Sequence, residues 1–151
     1  KLVRAFAEIR QRVLVLPRQR DKLIADVLEM RGKMKKHLAS GKADQDRVFN
    51  LKQDPGCIVD IEFMVQFAVL AWSHDIPDLT RWSDNIRILE CLEKSDVLSV
   101  EDVDILTSAY KNYRSAGHRL QLQQAELVVS AAEFAAQRQQ VVALWHRLLG
   151  E

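Results

Sequence analysis

From Ile58 to Trp72 the chain is apolar at almost every position, and the exceptions are Asp60, Glu62 and Gln66. A helix of that composition has no face to give to water, so it belongs in the middle of a domain with other elements around it. Its carboxylates are therefore informative, because an unpaired buried charge is expensive. Glu62 and Gln66 are four residues apart and share a helix face, with Ser73 near the same line, whereas Asp60 points elsewhere. Two readings stand side by side: the acids complement the helix dipole in the first turn, or they engage partners. The polar turn Lys52-Gln53-Asp54-Pro55-Gly56-Cys57 leads directly into this helix. Lys52 ahead of a helix N-terminus has the makings of an anion site, since unsatisfied backbone N–H groups gather there.

The flanking segments carry helical periodicity. Leu2, Phe6, Ile9, Val13 and Leu16 form an amphipathic stripe that ends at Pro17, and Leu23, Val27, Met30, Met34 and Leu38 form a second over roughly 20–39. Two such stripes predict antiparallel neighbours contributing to the core of a bundle. The helical pattern breaks over 40–56, where Val48, Phe49 and Leu51 fit a short extended piece. The apolar helix is expected over about 57–74, and a fourth from near Trp82-Ser83-Asp84 to about Lys94. Ser99 with Asp102 is a cap for a fifth helix, whose seam is Val103, Leu106, Tyr110, Tyr113, Gly117 and Leu120. Ser130 with Glu133 has the spacing of a capping box opening a sixth, with Phe134, Val141, Trp145 and Leu148 facing inward. The expected fold is all-α: a bundle of about six helices forming a single domain over 1–151, with a short irregular or extended segment near 47–56.

At 151 residues, 48% apolar and 28% charged, the chain has the size and composition of one globular domain with a sizeable core. No apolar run reaches the ~18 residues needed to span a bilayer, and no signal peptide opens the chain. No membrane association and a cytoplasmic location are expected. The first residue is Lys1, which fits a piece of something longer. Residues 1–36 carry eleven Lys/Arg against four Asp/Glu, while the remainder is acidic by six. A basic end can face phosphate or an acidic partner. No aromatic residues interleave with those cations, so nucleic acid is not an expected partner.

Other chemistry is sparse. His37, His74, His118 and His146 lie on four different helices without i,i+4 pairing, and Cys57 and Cys91 have no metal or redox spacing. Asp102-Val103-Asp104 reads as an acidic helix start. Cys57 at a helix N-terminus is either an activated thiol or, with no histidine nearby, a small buried core residue. Arg81 and Asn85 would share a face if the fourth helix reaches back that far. Arginine there suits a phosphate or carboxylate, and the plainer alternative is capping by Thr80 or Ser83 plus a structural Arg–Asp pair.

Three segments together resemble one family. Val27-Leu28-Glu29-Met30-Arg31-Gly32-Lys33-Met34 resembles its "EVREMREKM" helix, and Lys52 through Phe63 resembles its Lys…Gly-Gly-Ile-x-Asp-Ile-Glu-Phe motif. Leu79-Thr80-Arg81-Trp82-Ser83-Asp84-Asn85-Ile86-Arg87-Ile88-Leu89-Glu90 resembles its "LTRWSDNVRILE" segment. The family is the bacterial glutamine synthetase adenylyltransferase/adenylyl-removing enzyme. The resemblance implies two halves, each a nucleotidyltransferase domain followed by a helical domain, one removing AMP from glutamine synthetase and the other attaching it to a tyrosine. It places this chain as the carboxy-terminal helical domain of the attaching half. The family's Gly-Ser motif and sheet-borne Asp-x-Asp pair, which hold magnesium and ATP, are absent from the chain. Mg2+ and ATP are thus implied for the parent enzyme only, no cofactor, metal or catalytic residue for this stretch, and no transferase activity for the stretch alone.

The implied partners are the missing nucleotidyltransferase domain, glutamine synthetase and the PII signalling protein. As candidates for the nucleotide cleft or for docking that domain, the resemblance points to Lys52, Asp54, Gly56, Asp60, Glu62, Arg81 and Asn85. Cys57 stands where the family usually has a second glycine. The alternatives are a regulatory module docking PII or glutamine synthetase through the basic helices, and a purely structural packing domain.

Overall fold

A computed structural model describes residues 1–150. Six helices are seen among them: α1 (Leu2–Leu14), α2 (Arg20–Leu38), α3 (Ile58–Trp72), α4 (Asn85–Lys94), α5 (Val100–Leu122) and α6 (Ala135–Leu149). A 3-10 turn covers Pro77–Thr80, and two short strands, β1 (Val48–Asn50) and β2 (Val128–Ser130), complete the description. The all-α expectation holds. Among the described residues, no helix is long and apolar enough to cross a membrane.

α3 occupies the centre, packed against α2, α4, α5 and α6. Val59, Ile61, Met64, Val65, Phe67, Ala68 and Val69 are all buried on it, as an apolar helix requires. Glu62 is half-buried and Gln66 exposed, so the polar pair marks the one side of α3 that reaches the surface. Helix ends are closed by local chemistry. Asp84 accepts hydrogen bonds from the Ile86 and Arg87 amides and opens α4, and Ser99 accepts from the Asp102 amide and opens α5. Arg18, just past Pro17, folds back to donate to the Val13, Leu14 and Leu16 carbonyls, satisfying acceptors the end of α1 leaves open.

The structure refines one of these expectations and corrects several others. The extended piece near 47–56 exists, but it is half of an antiparallel ribbon in which Val48, Phe49 and Asn50 pair with Ser130, Val129 and Val128. Ser130 is consequently a strand residue and no capping box forms; α6 begins after Phe134 without a side-chain cap. Phe49 is held down by an edge-on contact with Tyr113 at 5.4 Å between ring centres, and Tyr113 by a similar one with Phe134 at 5.3 Å. The cap of α4 is Asp84 rather than Thr80 or Ser83, and α4 does not reach back far enough to put Arg81 and Asn85 on one face.

The stripe of α2 is also rotated by about one residue. Met30 is 60% exposed, whereas Arg31, its neighbour, is 1% exposed and fills the inward line with Val27 and Met34. Finally, α1 reaches the core only through Leu14 at its end, and its predicted stripe stays outside. Leu2, Phe6, Ile9, Val13 and Leu16 are between 51% and 87% exposed. The helix touches the domain at the 3-10 turn, where Arg10 donates to the Thr80 and Trp82 carbonyls and the His74 ring meets the Val15 carbonyl. Periodicity records which side of a helix is apolar, and a cover for that side must come from elsewhere.

Candidate functional site

The Lys52–Glu62 segment divides into an inner and an outer half. The inner half is organised by Arg31 from α2. Its Nε donates to Asp60 Oδ1 at 2.6 Å, and its Nη2 donates to the Gln53 carbonyl at 2.7 Å and to Cys57 Sγ at 3.2 Å. Asp60 is 2% exposed; its second oxygen accepts from the Gly56 amide at 2.8 Å, and Lys35 lies 3.8 Å from the first. Asp54, wholly buried, accepts from the Ser40 amide at 2.7 Å and the Asn50 amide at 2.8 Å, tying the turn to the end of α2 and to β1. Arg138 of α6 donates to the Pro55 carbonyl at 2.8 Å. Gly56 has φ of +82°, and a Cβ there would stand 2.7 Å from the Arg138 carbonyl oxygen. The close backbone approach thus occurs at Gly56, and the cysteine at the next position does not obstruct it.

These contacts bear on the reading of an anion site at the start of α3. An anion site needs open amides at the start of α3. Here Gly56 N–H donates to Asp60, Ile58 N–H to the Leu51 carbonyl and Ile61 N–H to the Cys57 carbonyl. Gly56 and Ile58 thus spend their amides on the protein's own acceptors, and Val59 and Asp60 are buried. Asp54, Gly56 and Asp60 hold the turn from inside.

Cys57 is fully buried, and burial pushes its thiol up to about 12, with the Asp60 carboxylate adding to the rise and the Arg31 guanidinium opposing it. It is the inert core cysteine of the two readings. Its folded value lies above the ordinary 9.0, so the neutral thiol contributes stability below about pH 9 that is lost as pH rises towards 12. Tyr113, raised chiefly by burial, acts in the same direction. Alkylation at pH 8 should therefore label Cys57 only after unfolding in urea, with Cys91 the faster thiol in the native protein; equal rates at both would contradict the burial.

The outer half faces a groove of about 370 Å³ lined by Lys52, Glu62, Tyr110, Arg114, His118 and Leu127, among others. Lys52 is exposed and Glu62 half-buried, and among the described residues neither has an ion-pair partner. Asn85 joins from behind: its Nδ2 donates to the Tyr110 hydroxyl at 3.1 Å, and Arg114 Nη1 donates to the same oxygen at 3.4 Å. The arrangement offers a concave surface with three basic side chains and one carboxylate, suited to a ligand or protein edge carrying phosphate or carboxylate. Arg81 is separate, exposed beside Trp82 with its guanidinium 5.1 Å from the ring centre.

Sequence reasoning did not single out Arg31, Arg114, His118 or Arg138. Tyr110, Arg114 and His118 do follow one another at intervals of four, a spacing that places them on one face of α5. Arg31 stands four residues after Val27 and three before Met34, which was the available signal for its inward position. Asp102 sits in the first turn of α5 and accepts from Arg147 at 2.6 Å. A carboxylate committed to a guanidinium on a helix does not fit the sheet-borne magnesium-nucleotide pair implied for the parent enzyme.

Comparison with known proteins adds a lineage to this geometry. Residues 28–128 match the family model described as GlnD PII-uridylyltransferase. The chain is 53% identical over 150 residues, 99% of its length, to the bifunctional glutamine synthetase adenylyltransferase/adenylyl-removing enzyme of Thioalkalivibrio sulfidiphilus. It is 46% and 47% identical to proteins of the same name from Pseudomonas aeruginosa and Pseudomonas putida, each over 95% of its length. It spans only 15% to 16% of the length of these relatives.

Proposed function

The chain belongs to the GlnD PII-uridylyltransferase family, and from that membership we propose that it is a helical accessory domain of an enzyme that adenylylates and deadenylylates glutamine synthetase. In this reading it is the carboxy-terminal helical domain of the adenylyl-attaching half, working in the cytoplasm in the control of nitrogen assimilation. It packs on a nucleotidyltransferase domain and completes one side of the ATP cleft, with Mg2+ and ATP held by that neighbour. The observation that carries the assignment of a surface is the division of the Lys52–Glu62 segment. Asp54, Gly56 and Asp60 are consumed by internal contacts, while Lys52 and Glu62 stand without ion-pair partners among the described residues, at the mouth of a groove shared with Arg114 and His118. Free charges at a concave surface are available to a neighbour, and buried paired ones are not.

Lys52 then supplies positive charge toward phosphate, and Glu62 orients a basic group of the adjoining domain. Lys52→Ala and Glu62→Gln in the full-length enzyme are expected to lower kcat/KM for ATP in the adenylylation reaction by more than about tenfold, roughly 1.4 kcal/mol of transition-state stabilisation. The melting temperature should not change, because Lys52 is exposed and Glu62 half-buried. Unchanged kinetics would remove the groove from the cleft. The isolated chain, lacking the Gly-Ser motif and the sheet-borne Asp-x-Asp pair, should transfer no AMP.

A further inference from the structure

We propose that the uncovered apolar face of α1 is a docking ridge for another domain of the parent polypeptide, seated in an apolar trough rimmed by carboxylates. This rests on the reading above that the chain is one domain of a longer enzyme.

The first ground is the face itself. Leu2, Phe6, Ile9 and Val13 lie on one side of a 13-residue helix, and all are more than half exposed. A helix this short is marginal in water without packing, so the ridge needs a cover to be stable as a helix. The second ground is shape. Between α1 and the 3-10 turn lies a groove of about 640 Å³ whose lining includes Phe6, Arg10, Asp78 and Arg81. A cleft beside a ridge accepts a protruding protein side chain, which a bilayer surface does not supply.

The third ground is charge. Lys1, Arg4, Arg10, Arg12 and Arg18 accompany the ridge against one acid on the helix, Glu8, and across the groove Arg81 stands with Asp78, so the surface stays net basic. A second copy of α1 laid against this face would bring like charges together, whereas a surface bordered by Asp and Glu would complement it. The fourth ground is length. The matched relatives carry more than four-fifths of their residues outside the stretch similar to this chain, so covering polypeptide is at hand. The proposal gives Arg81 a role that the groove around Lys52 does not: it pairs with carboxylates at the rim of the docking site.

The test is hydrogen–deuterium exchange of residues 2–14 in the full-length enzyme, compared with its Phe6→Gln/Ile9→Gln variant. Glutamine keeps helix propensity while removing the apolar ridge. Protection in the wild type should fall by at least about tenfold in the variant. Peptides of one neighbouring domain should lose protection with it, while α3 keeps its own. Exchange over 2–14 as fast in the wild type as in the variant would overturn the proposal. Protection that rises with protein concentration would overturn it in favour of a second copy. Protection that appears only with vesicles containing phosphatidylserine would do so in favour of a lipid surface. The readout needs no AMP transfer, so an inactive Lys52 variant with a protected α1, or the reverse, separates failure of this proposal from failure of the cleft assignment.

Discussion

Arg31→Met is expected to lower stability by about 3–5 kcal/mol, a fall in melting temperature on the order of 10 °C for a domain of this size. The guanidinium is 1% exposed and donates to Asp60, to the Gln53 carbonyl and to Cys57. Methionine fills much of the volume but leaves a carboxylate that is 2% exposed without its closest cation, and a backbone carbonyl without a donor. Lys35, 3.8 Å from the same carboxylate oxygen, softens the loss without replacing the planar fork that reaches both acceptors. Adding Asp60→Asn should recover at least half of the deficit. It removes the uncompensated charge while keeping an oxygen for the Gly56 amide. Urea unfolding of the single and double variants decides the matter; a double variant no more stable than Arg31→Met would mean that packing, not charge, dominates at this site.

Gly56→Ala should cost roughly 2–5 kcal/mol, the sum of an unfavourable backbone conformation and a forced displacement. The residue sits at φ of +82°, and its added Cβ would lie 2.7 Å from the Arg138 carbonyl oxygen and 2.8 Å from Arg138 Cγ. A helix carbonyl cannot swing aside, so α6 would have to retreat from the turn and strain the Arg138–Pro55 hydrogen bond. Gly32→Ala is the matched control. Gly32 lies within α2, and nothing stands within 4 Å of where its Cβ would be, so the same substitution should stabilise by about 0.5–1 kcal/mol. Opposite signs at the two glycines are the expected outcome of thermal unfolding, and a destabilisation of less than about 1 kcal/mol at Gly56 would show that α6 has room to move.

Both predictions concern one device. Arg31, Asp60, Asp54 and Gly56 lock the turn before α3 from within, and the locked turn holds Lys52 outward beside Glu62, Arg114 and His118. A rigid support beneath an exposed charge is what a binding surface needs if its geometry is to be reproducible. The Lys52→Ala kinetics and the Arg31→Met stability therefore read different levels of the same structure.

Helix positions, the centrality of α3 and the caps of α5 were legible in the residues, because each depends on neighbours three or four positions away along the chain. An apolar run such as 58–72 can be satisfied in water only by enclosure, whatever encloses it. The choice of which charges go inside lay beyond that range. Arg31 and Asp60 meet across 29 positions, and Arg138 and Pro55 across 83, so neither contact leaves a local pattern. The pairing of β1 with β2 turned Ser130 from a helix cap into a strand residue for the same reason. Candidate residues that look equivalent in a motif thus parted company in space. Asp60 went in and Glu62 toward the surface because two positions on a helix differ by about 200°, and only the side of Asp60 met the buried Arg31. The stripe on α1 was written as plainly as any other, yet it lies uncovered, since amphipathicity states that a helix has a side to bury and only the assembled structure supplies the surface that buries it.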